Sequence, residues 1–191
     1  MATQDTILDT HSSHSEAITG TNAELRCLIA LLAGTGLRIG EALALMVGPD
    51  DGVNSFWLPE TGTLIIRTTL VDGQVQPHTK TEAGTRFVDL DPRLAFFLRS
   101  QFANRESQTG LLFTTSHRTL RRRLAAQGIL GFHALRRFRI THLQGENVPA
   151  TLTKFWAGHA AGDVTERYTK VGAEIQKRKM WSEKAGLGFQ L

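Results

Sequence analysis

Apolar positions spaced three and four residues apart mark the predicted helices of the chain. The first such run is Leu25, Leu28, Ile29 and Leu32. Asn22 is suited to cap it, and Gly34 and Gly36 interrupt it. A later run begins at Asp91 and Pro92, which suit a cap and a first helical turn. Further helices are expected over 39–46 and near 117–127, 133–145, 149–157 and 171–184.

Between the predicted helix over 39–46 and the one that begins at Pro92, the hydrophobic pattern changes from a helical to a strand period. Short β-branched segments separated by glycine-containing turns, "TLIIRTTLV", "GQVQP" and "TRFVDL", predict antiparallel strands. Residues 1–22 are rich in Ser and Thr, contain no Lys or Arg, and predict a flexible leader. The domain is expected to span 23–185, with 186–191 as a tail. The predicted fold class is α+β, mainly α-helical with a small antiparallel sheet.

Composition narrows the class of protein only slightly. The chain has 191 residues, of which 41% are hydrophobic and 21% charged, as in ordinary globular domains. No apolar run reaches the ~20 residues that span a bilayer, so no membrane partner is expected. The single cysteine, Cys27, excludes an intramolecular disulfide and favours a reducing cytoplasm. Its apolar neighbours predict a buried, unreactive thiol.

The placement of charge is more informative than its total of +4. Residues 117–142 contain seven arginines and no acidic residue, which leaves a net charge of −3 for the rest of the chain. A field of one sign indicates a polyanionic partner, with DNA as the first candidate. The alternative is a solvated basic face, in which acidic residues are usually interspersed.

The segment "FHALRRFRITHL" holds part of this charge in a helix. His133 and Arg136 are three residues apart and share a face, while their apolar neighbours anchor the other side. A guanidinium and an imidazole held together can bind an anion, because the arginine fork donates two parallel hydrogen bonds to phosphate oxygens. Arg137 and Arg139 point elsewhere, toward contacts with the DNA backbone or toward structural ion pairs.

Three other segments carry candidate chemistry. "TGLRIGEALAL" places Arg38 at the start of a helix, with Glu41 one turn later. "HTKTEAGTRFVDL" places Lys80 in a turn between strands, and "WAGHAAGDVTERYTK" places Tyr168 nine residues after His159. Taken separately, each has a simpler reading: a surface ion pair, a surface lysine, or a tyrosine packed in the core.

Taken in order, these residues resemble the catalytic domain of tyrosine recombinases, the phage integrase family, over residues 22–182. The catalytic set that this resemblance implies is Arg38, Lys80, His133, Arg136, His159 and Tyr168, with Glu41 as a brace. The interval between Arg38 and Lys80 is long for the family and implies an enlarged sheet or an inserted hairpin. Ala157 and Ala160 stand where Leu and Ser are frequent. No separate N-terminal DNA-binding domain is apparent, so the chain resembles a catalytic domain taken from a longer integrase.

The resemblance implies cleavage and rejoining of double-stranded DNA at the nucleoid, through a 3′-phosphotyrosyl intermediate and without metal, ATP or other cofactor. The expected DNA contacts are Arg118, Arg121, Arg122, Arg123, Arg137 and Arg139. The expected assembly is a homotetramer on DNA, in which the helix over 171–184 docks on a neighbouring protomer or packs in cis. Alternatives are a silent DNA-binding module, a type IB topoisomerase-like enzyme, and a metal site using His133 and His159, for which partner ligands are missing.

Overall fold

The structure is a computed structural model that describes residues 20–77, 85–105, 109–126, 128, 131–159 and 171–191, with side chains from residue 23 onward. The helices are α1 (Gly20–Thr35), α2 (Ile39–Leu43), α3 (Pro92–Phe102), α4 (His117–Ala126), α5 (Phe132–Gly145), α6 (Ala150–Ala157) and α7 (Ile175–Ala185). The strands are β1 (Leu45–Val47), β2 (Ser55–Leu58), β3 (Thr63–Ile66), β4 (Thr68–Val71), β5 (Gln74–Pro77), β6 (Arg86–Asp89) and β7 (Gly110–Leu111). Lys80 and Tyr168 lie outside the described residues.

Five of the strands form one sheet in the order β6-β3-β2-β1-β7, and β4 and β5 form a separate antiparallel hairpin. β1 and β2 pair in parallel, whereas the other neighbours in the sheet pair antiparallel. The α+β prediction is confirmed, but the main sheet is mixed rather than wholly antiparallel. The chain returns over residues 48–54 before β2, and this return makes the β1–β2 pair parallel.

The helix boundaries follow local capping chemistry where that chemistry is strong. The Asp91 carboxylate accepts the backbone N–H of Arg93 at 2.8 Å, and Pro92 opens α3, as predicted. Other boundaries shift. The first helix begins at Gly20, before the predicted cap Asn22, and the second ends at Leu43 because the following residues pair as β1.

α1 lies in the centre of the hydrophobic core and packs against α3 and α5. Its residues Leu28, Leu31 and Leu32 have no exposed surface. Cys27 is also buried, and desolvation raises the pKa of its thiol to about 12, which confirms the prediction of a buried, unreactive cysteine. No helix in the described part of the chain is both long and apolar enough to cross a membrane.

Candidate active site

The C-terminal turn of α6 is the point at which arginines from three different elements meet. Three successive carbonyl oxygens in this turn each accept hydrogen bonds from one guanidinium group. The pairs are Trp156 with Arg86 (3.1 Å), Ala157 with Arg136 (2.7 Å), and Gly158 with Nη1 and Nη2 of Arg38 (3.3 Å each). Because the last carbonyls of a helix lack intrahelical partners and carry partial negative charge, they attract cations. This turn therefore gathers positive charge from distant parts of the chain.

Arg38 occupies the N-cap position of α2, and its side chain is 45% exposed. The fully buried carboxylate of Glu41 contacts it twice. Oε2 accepts the backbone N–H of Arg38 at 2.8 Å, and Oε1 accepts Nη1 at 3.2 Å. Glu41 therefore fixes both the main chain and the guanidinium group of Arg38, and leaves the outer part of that group facing solvent.

Arg86, at the start of β6, was not singled out in the sequence analysis. Its side chain is 7% exposed, and Nη2 donates to Oε2 of Glu41 at 2.8 Å. Two guanidinium groups thus share one buried carboxylate. The sequence does contain a signal for this residue: strand alternation places Arg86 on the same face as the buried Val88. A charged residue on the core face of a strand requires a buried partner.

Arg136 reaches the same turn from α5 and is 4% exposed. Besides the bond to Ala157, it donates from Nη1 to the carbonyl oxygen of Gly36 at 2.6 Å. Desolvation, reinforced by the charges of Arg38 and Arg86 and opposed by Glu41, lowers the pKa of Arg136 to about 10. A guanidinium with this pKa stays protonated at neutral pH.

The backbone at Gly36 allows this approach of Arg136. α1 ends at Thr35, and Gly36 follows with a φ of +72°, in the left-handed region that glycine adopts without strain. This conformation ends the helix, and the Gly36 carbonyl accepts from Arg136 of α5. The predicted break thus falls at Gly36, while Gly34 remains inside α1.

His159 follows directly on the left-handed cap Gly158. It is exposed, and its backbone N–H donates to the carbonyl oxygen of Lys154 at 3.2 Å. Desolvation against the protein surface, followed by the positive charges of Arg136 and Arg38, lowers the pKa of its imidazole. His159 is therefore mainly neutral at pH 7, beside a group of cations.

The remaining predicted catalytic residues are less fully placed. His133 is exposed in the first turn of α5, one turn before Arg136, which points into the interior. Lys80 and Tyr168 lie outside the described residues.

The hairpin of β4 and β5 ends three positions before Lys80 and packs on α2. A Cβ at Gly40 of α2 would lie 2.5 Å from Oγ1 of Thr69, so only glycine allows this close packing.

A scan against protein-family models finds no match, and a search of curated proteins finds none either. Solved structures do match. The Tn1549 transposon integrase in complex with circular intermediate DNA gives a TM-score of 0.54 at 17% identity, with 90% of this chain and 68% of that chain covered. In a second such complex the TM-score is 0.53 at 17% identity, with 84% and 62% covered. The integrase from mycobacterium phage Brujita gives 0.58 at 15% identity, with 95% and 55% covered.

The chain has the fold of an integrase catalytic domain. The resemblance to tyrosine recombinases drawn from the sequence is thereby confirmed for the fold. The chain spans 62% of the length of one matched Tn1549 integrase structure and 55% of the phage integrase. Within this integrase fold, Arg38, Arg136 and His159 meet at the C-terminal end of α6.

The basic helix of this integrase fold, α4, is amphipathic. Leu120 and Leu124 have no exposed surface, whereas Arg118, Arg121 and Arg122 are exposed and, at spacings of three and four, share one face. Other predicted DNA contacts differ in position: Arg137 is exposed and Arg123 is half-buried. α4 therefore presents a compact group of three arginines to solvent.

Arg139 differs from the other predicted DNA contacts because it lies in the interior. It is 2% exposed, and its Nη1 donates to the carbonyl oxygen of Gly186 at 2.6 Å. Desolvation lowers its pKa to about 10. Arg139 therefore ties α5 to the segment that follows α7. The prediction of a DNA contact is wrong for this residue, which makes a structural contact instead.

α7 packs in cis against β6 through Asp89. The Asp89 carboxylate accepts Nε of Arg178 at 2.8 Å and Nε1 of Trp156 at 3.3 Å, and its carbonyl oxygen accepts Oγ of Ser182 at 3.0 Å. Arg178 also donates to the carbonyl oxygens of Val171 and Gly172. This buried cluster fastens the chain just after the segment that carries Tyr168. Docking of the helix on a neighbouring protomer stays a prediction.

Proposed function

We propose that this chain is the catalytic domain of a tyrosine site-specific recombinase, which cleaves and rejoins double-stranded DNA through a 3′-phosphotyrosyl intermediate. The observation that carries the proposal is the meeting of Arg38, Arg136 and His159 at the terminal turn of α6. Three elements that are distant in sequence bring these groups together, and the sequence resemblance assigns all three to one phosphate.

The charge at this turn suits a phosphodiester. Two guanidinium groups contact the single carboxylate of Glu41 and a third, that of Arg136, lies nearby, so the described cluster has an excess of two positive charges. A phosphodiester carries one negative charge and gains more as it becomes pentacoordinate. Preorganised donors stabilise that charge where it develops, and the loss of one such donor typically costs about 3 to 4 kcal/mol.

The two clamping arginines differ in how firmly they are held. Arg136 makes short bonds of 2.6 and 2.7 Å to two carbonyl oxygens, yet each of its Nη atoms keeps a second N–H for a ligand. Arg38 is held by Glu41 on one side at 3.2 Å, and its other bonds, to Gly158, are long at 3.3 Å, so phosphate oxygens can replace them at little cost. We infer that Arg136 acts as the fixed donor and Arg38 as the adjustable one.

Tyr168 supplies the nucleophile. Its phenolic oxygen attacks the scissile phosphorus, the bond to the 5′-oxygen breaks, and Lys80 donates a proton to that leaving oxygen. A phenol with a pKa of about 10 is ionised in roughly one molecule in a thousand at pH 7, which corresponds to about 4 kcal/mol. Its proton passes to His133, to His159 or to a phosphate oxygen polarised by arginine.

Rejoining is the same reaction in reverse. The 5′-hydroxyl of a partner strand attacks the phosphotyrosine and releases Tyr168. One phosphoester replaces another in each step, so the exchange is close to isoenergetic and requires no nucleotide hydrolysis. The exposed arginines of α4 bind the duplex backbone. Exchange between two duplexes involves four strands, and one protomer for each strand gives a tetramer on DNA.

A library of nicked duplexes tests the proposal without knowledge of the target sequence. Each duplex has a randomised core with a nick inside it, so the short fragment released on cleavage diffuses away and the covalent adduct accumulates. Adducts are recovered under denaturing conditions and sequenced. We expect an enriched target, a protein–DNA adduct with the wild-type chain, and no adduct with Tyr168→Phe.

The other outcomes identify the alternative functions. Enrichment by retention of DNA without any adduct indicates a DNA-binding module that lacks catalysis, and overturns the proposal. Relaxation of a supercoiled plasmid without a preferred sequence indicates a type IB topoisomerase-like enzyme. An adduct that survives Tyr168→Phe shows that another residue is the nucleophile.

A further inference from the structure

Arg86 occupies a place in the cluster that neither the sequence resemblance nor the proposed function assigns to it. It contacts two separate parts of the proposed active site: Nη2 donates to Glu41 at 2.8 Å, and Nε donates to the carbonyl oxygen of Trp156 at 3.1 Å. The two bonds use different nitrogen atoms of the guanidinium and end on different elements. Arg86 therefore connects α2, which begins next to Arg38, to the turn that leads into His159.

The face of the Arg86 guanidinium also packs against the main chain at Gly158. A Cβ at Gly158 would lie 2.6 Å from the guanidinium carbon and 2.8 Å from Nη1. Gly158 has a φ of +63°, so both its conformation and its close contact require glycine. Arg86 thus packs against the turn at Gly158. His159 is the next residue, so this contact also stabilises the position of its backbone.

Glu41 is the link between Arg86 and Arg38. Its Oε2 accepts both the Arg38 backbone N–H and Nη2 of Arg86, while Oε1 accepts Nη1 of Arg38. Because Arg86 neutralises much of the charge of this buried carboxylate, the outer part of the Arg38 guanidinium remains available to a ligand. If Arg86 is removed, Arg38 becomes the sole cation bonded to Glu41 among these contacts, and is drawn toward it.

We propose that Arg86 is a positioning residue for strand cleavage, which holds Glu41 and the turn at Gly158 so that Arg38 is directed toward the scissile phosphate. The inference rests on the proposed function. Nε and Nη2 of Arg86 are bonded within the protein and its guanidinium packs against Gly158, so it acts through Arg38 and the turn. A misplacement of about 1 Å in a group that aligns the reacting atoms can cost about a hundredfold in rate.

The test compares adduct formation by Arg86→Met and Arg86→Lys with the wild type on the enriched nicked duplex. We expect adduct formation by Arg86→Met to be about a hundredfold slower at saturating DNA, with DNA affinity changed less than threefold. Arg86→Lys should recover only part of the rate, because one ammonium cannot reproduce the bonds that Nε and Nη2 make to two separate acceptors. Arg67→Met serves as a matched control, since Arg67 bonds Asp50 through both Nη atoms away from the turn.

Combination with Arg38→Ala separates positioning from general loss of structure. If Arg86 acts through Arg38, Arg86→Met should slow adduct formation by tenfold or less in the Arg38→Ala background. A full hundredfold loss in that background indicates an independent structural effect, and overturns the inference. An Arg86→Met rate equal to that of Arg67→Met overturns it as well.

A crystal structure of Arg86→Met provides a readout that does not depend on catalysis. We expect the Arg38 guanidinium to move toward Glu41 and its bonds to Gly158 to be lost. If the wild type forms no adduct, the proposed function fails, while the displacement of Arg38 still tests the positioning contact. An unmoved Arg38 contradicts the inference whether or not the wild type is active.

Discussion

Two buried ion-pair clusters lie at the two ends of the short strand β6, and they differ in charge balance. At Asp89 one carboxylate meets one guanidinium, that of Arg178, and their side chains are 1% and 3% exposed. At Arg86 one carboxylate meets two guanidinium groups, with a third from Arg136 nearby, and the cluster reaches solvent through Arg38. The first cluster is closed and neutral, whereas the second is open and positive.

The difference separates a structural contact from a binding site. A neutral, closed pair carries no excess charge and is shielded from solvent, so it does not attract a charged ligand. The cluster at Arg86 keeps an excess of positive charge close to solvent, which is unfavourable unless an anion binds there. β6 thus ties the folding contacts of α7 to the proposed phosphate site.

The closed cluster should give the largest effect on stability. Arg178→Met removes the cation and leaves the buried Asp89 carboxylate with only neutral donors, and the loss of one partner of a buried pair typically costs about 3 to 5 kcal/mol. We expect a loss of that size in chemical denaturation. Arg93→Met should cost no more than about 1 kcal/mol, because the Arg93 side chain is 66% exposed and solvent screens its pair with the buried Asp91. Equal losses for the two variants would contradict the distinction.

The open cluster should give the next largest effect, on rate. Arg136→Lys keeps the charge but loses the fork that reaches Gly36 and Ala157 at once. We expect adduct formation to slow by about a hundredfold or more, equivalent to about 3 kcal/mol. A stability measurement on the same variant separates this effect from unfolding. Full activity of the lysine variant would show that charge alone suffices at this position.

A smaller effect is expected on the α4 surface, away from both clusters. Each exposed arginine that contacts a phosphate contributes about 0.9 to the slope of log affinity against log salt concentration. Replacement of Arg118, Arg121 and Arg122 by Gln should therefore reduce the slope by up to about 2.7, measured by fluorescence anisotropy with duplex DNA. Arg99→Gln, an exposed arginine on α3, serves as the control. An unchanged slope in the triple variant would place DNA elsewhere.

Local features of the chain and contacts between distant residues differ in how far the sequence predicts them. The cap at Asp91 and the helical runs of α4 and α5 depend on neighbouring residues, and the sequence predicts them closely. The burial of Arg139 depends on a partner far along the chain, so local patterns do not show it. For Arg86, strand alternation indicates the core face, but not the distant partner Glu41. β1 and β7 were missed for a related reason: they are two or three residues long, and pairing across the sheet defines them.

The smallest effect concerns the imidazole of His159, which reports on the field of the open cluster. In the free protein, desolvation and the charges of Arg136 and Arg38 lower its pKa, so as the pH falls the unfolded chain takes up this proton first and the folded state loses stability. Arg38→Gln removes one of these charges and should raise the pKa of His159. Lys154→Gln should raise it less, because Lys154 is the weaker contributor. NMR titration of the imidazole measures both shifts.

A bound DNA phosphate should also raise the pKa of His159, since it adds negative charge beside the ring. A pKa that does not rise in Arg38→Gln would mean that the charge of Arg38 does not act on His159, and would count against a phosphate shared by the two groups.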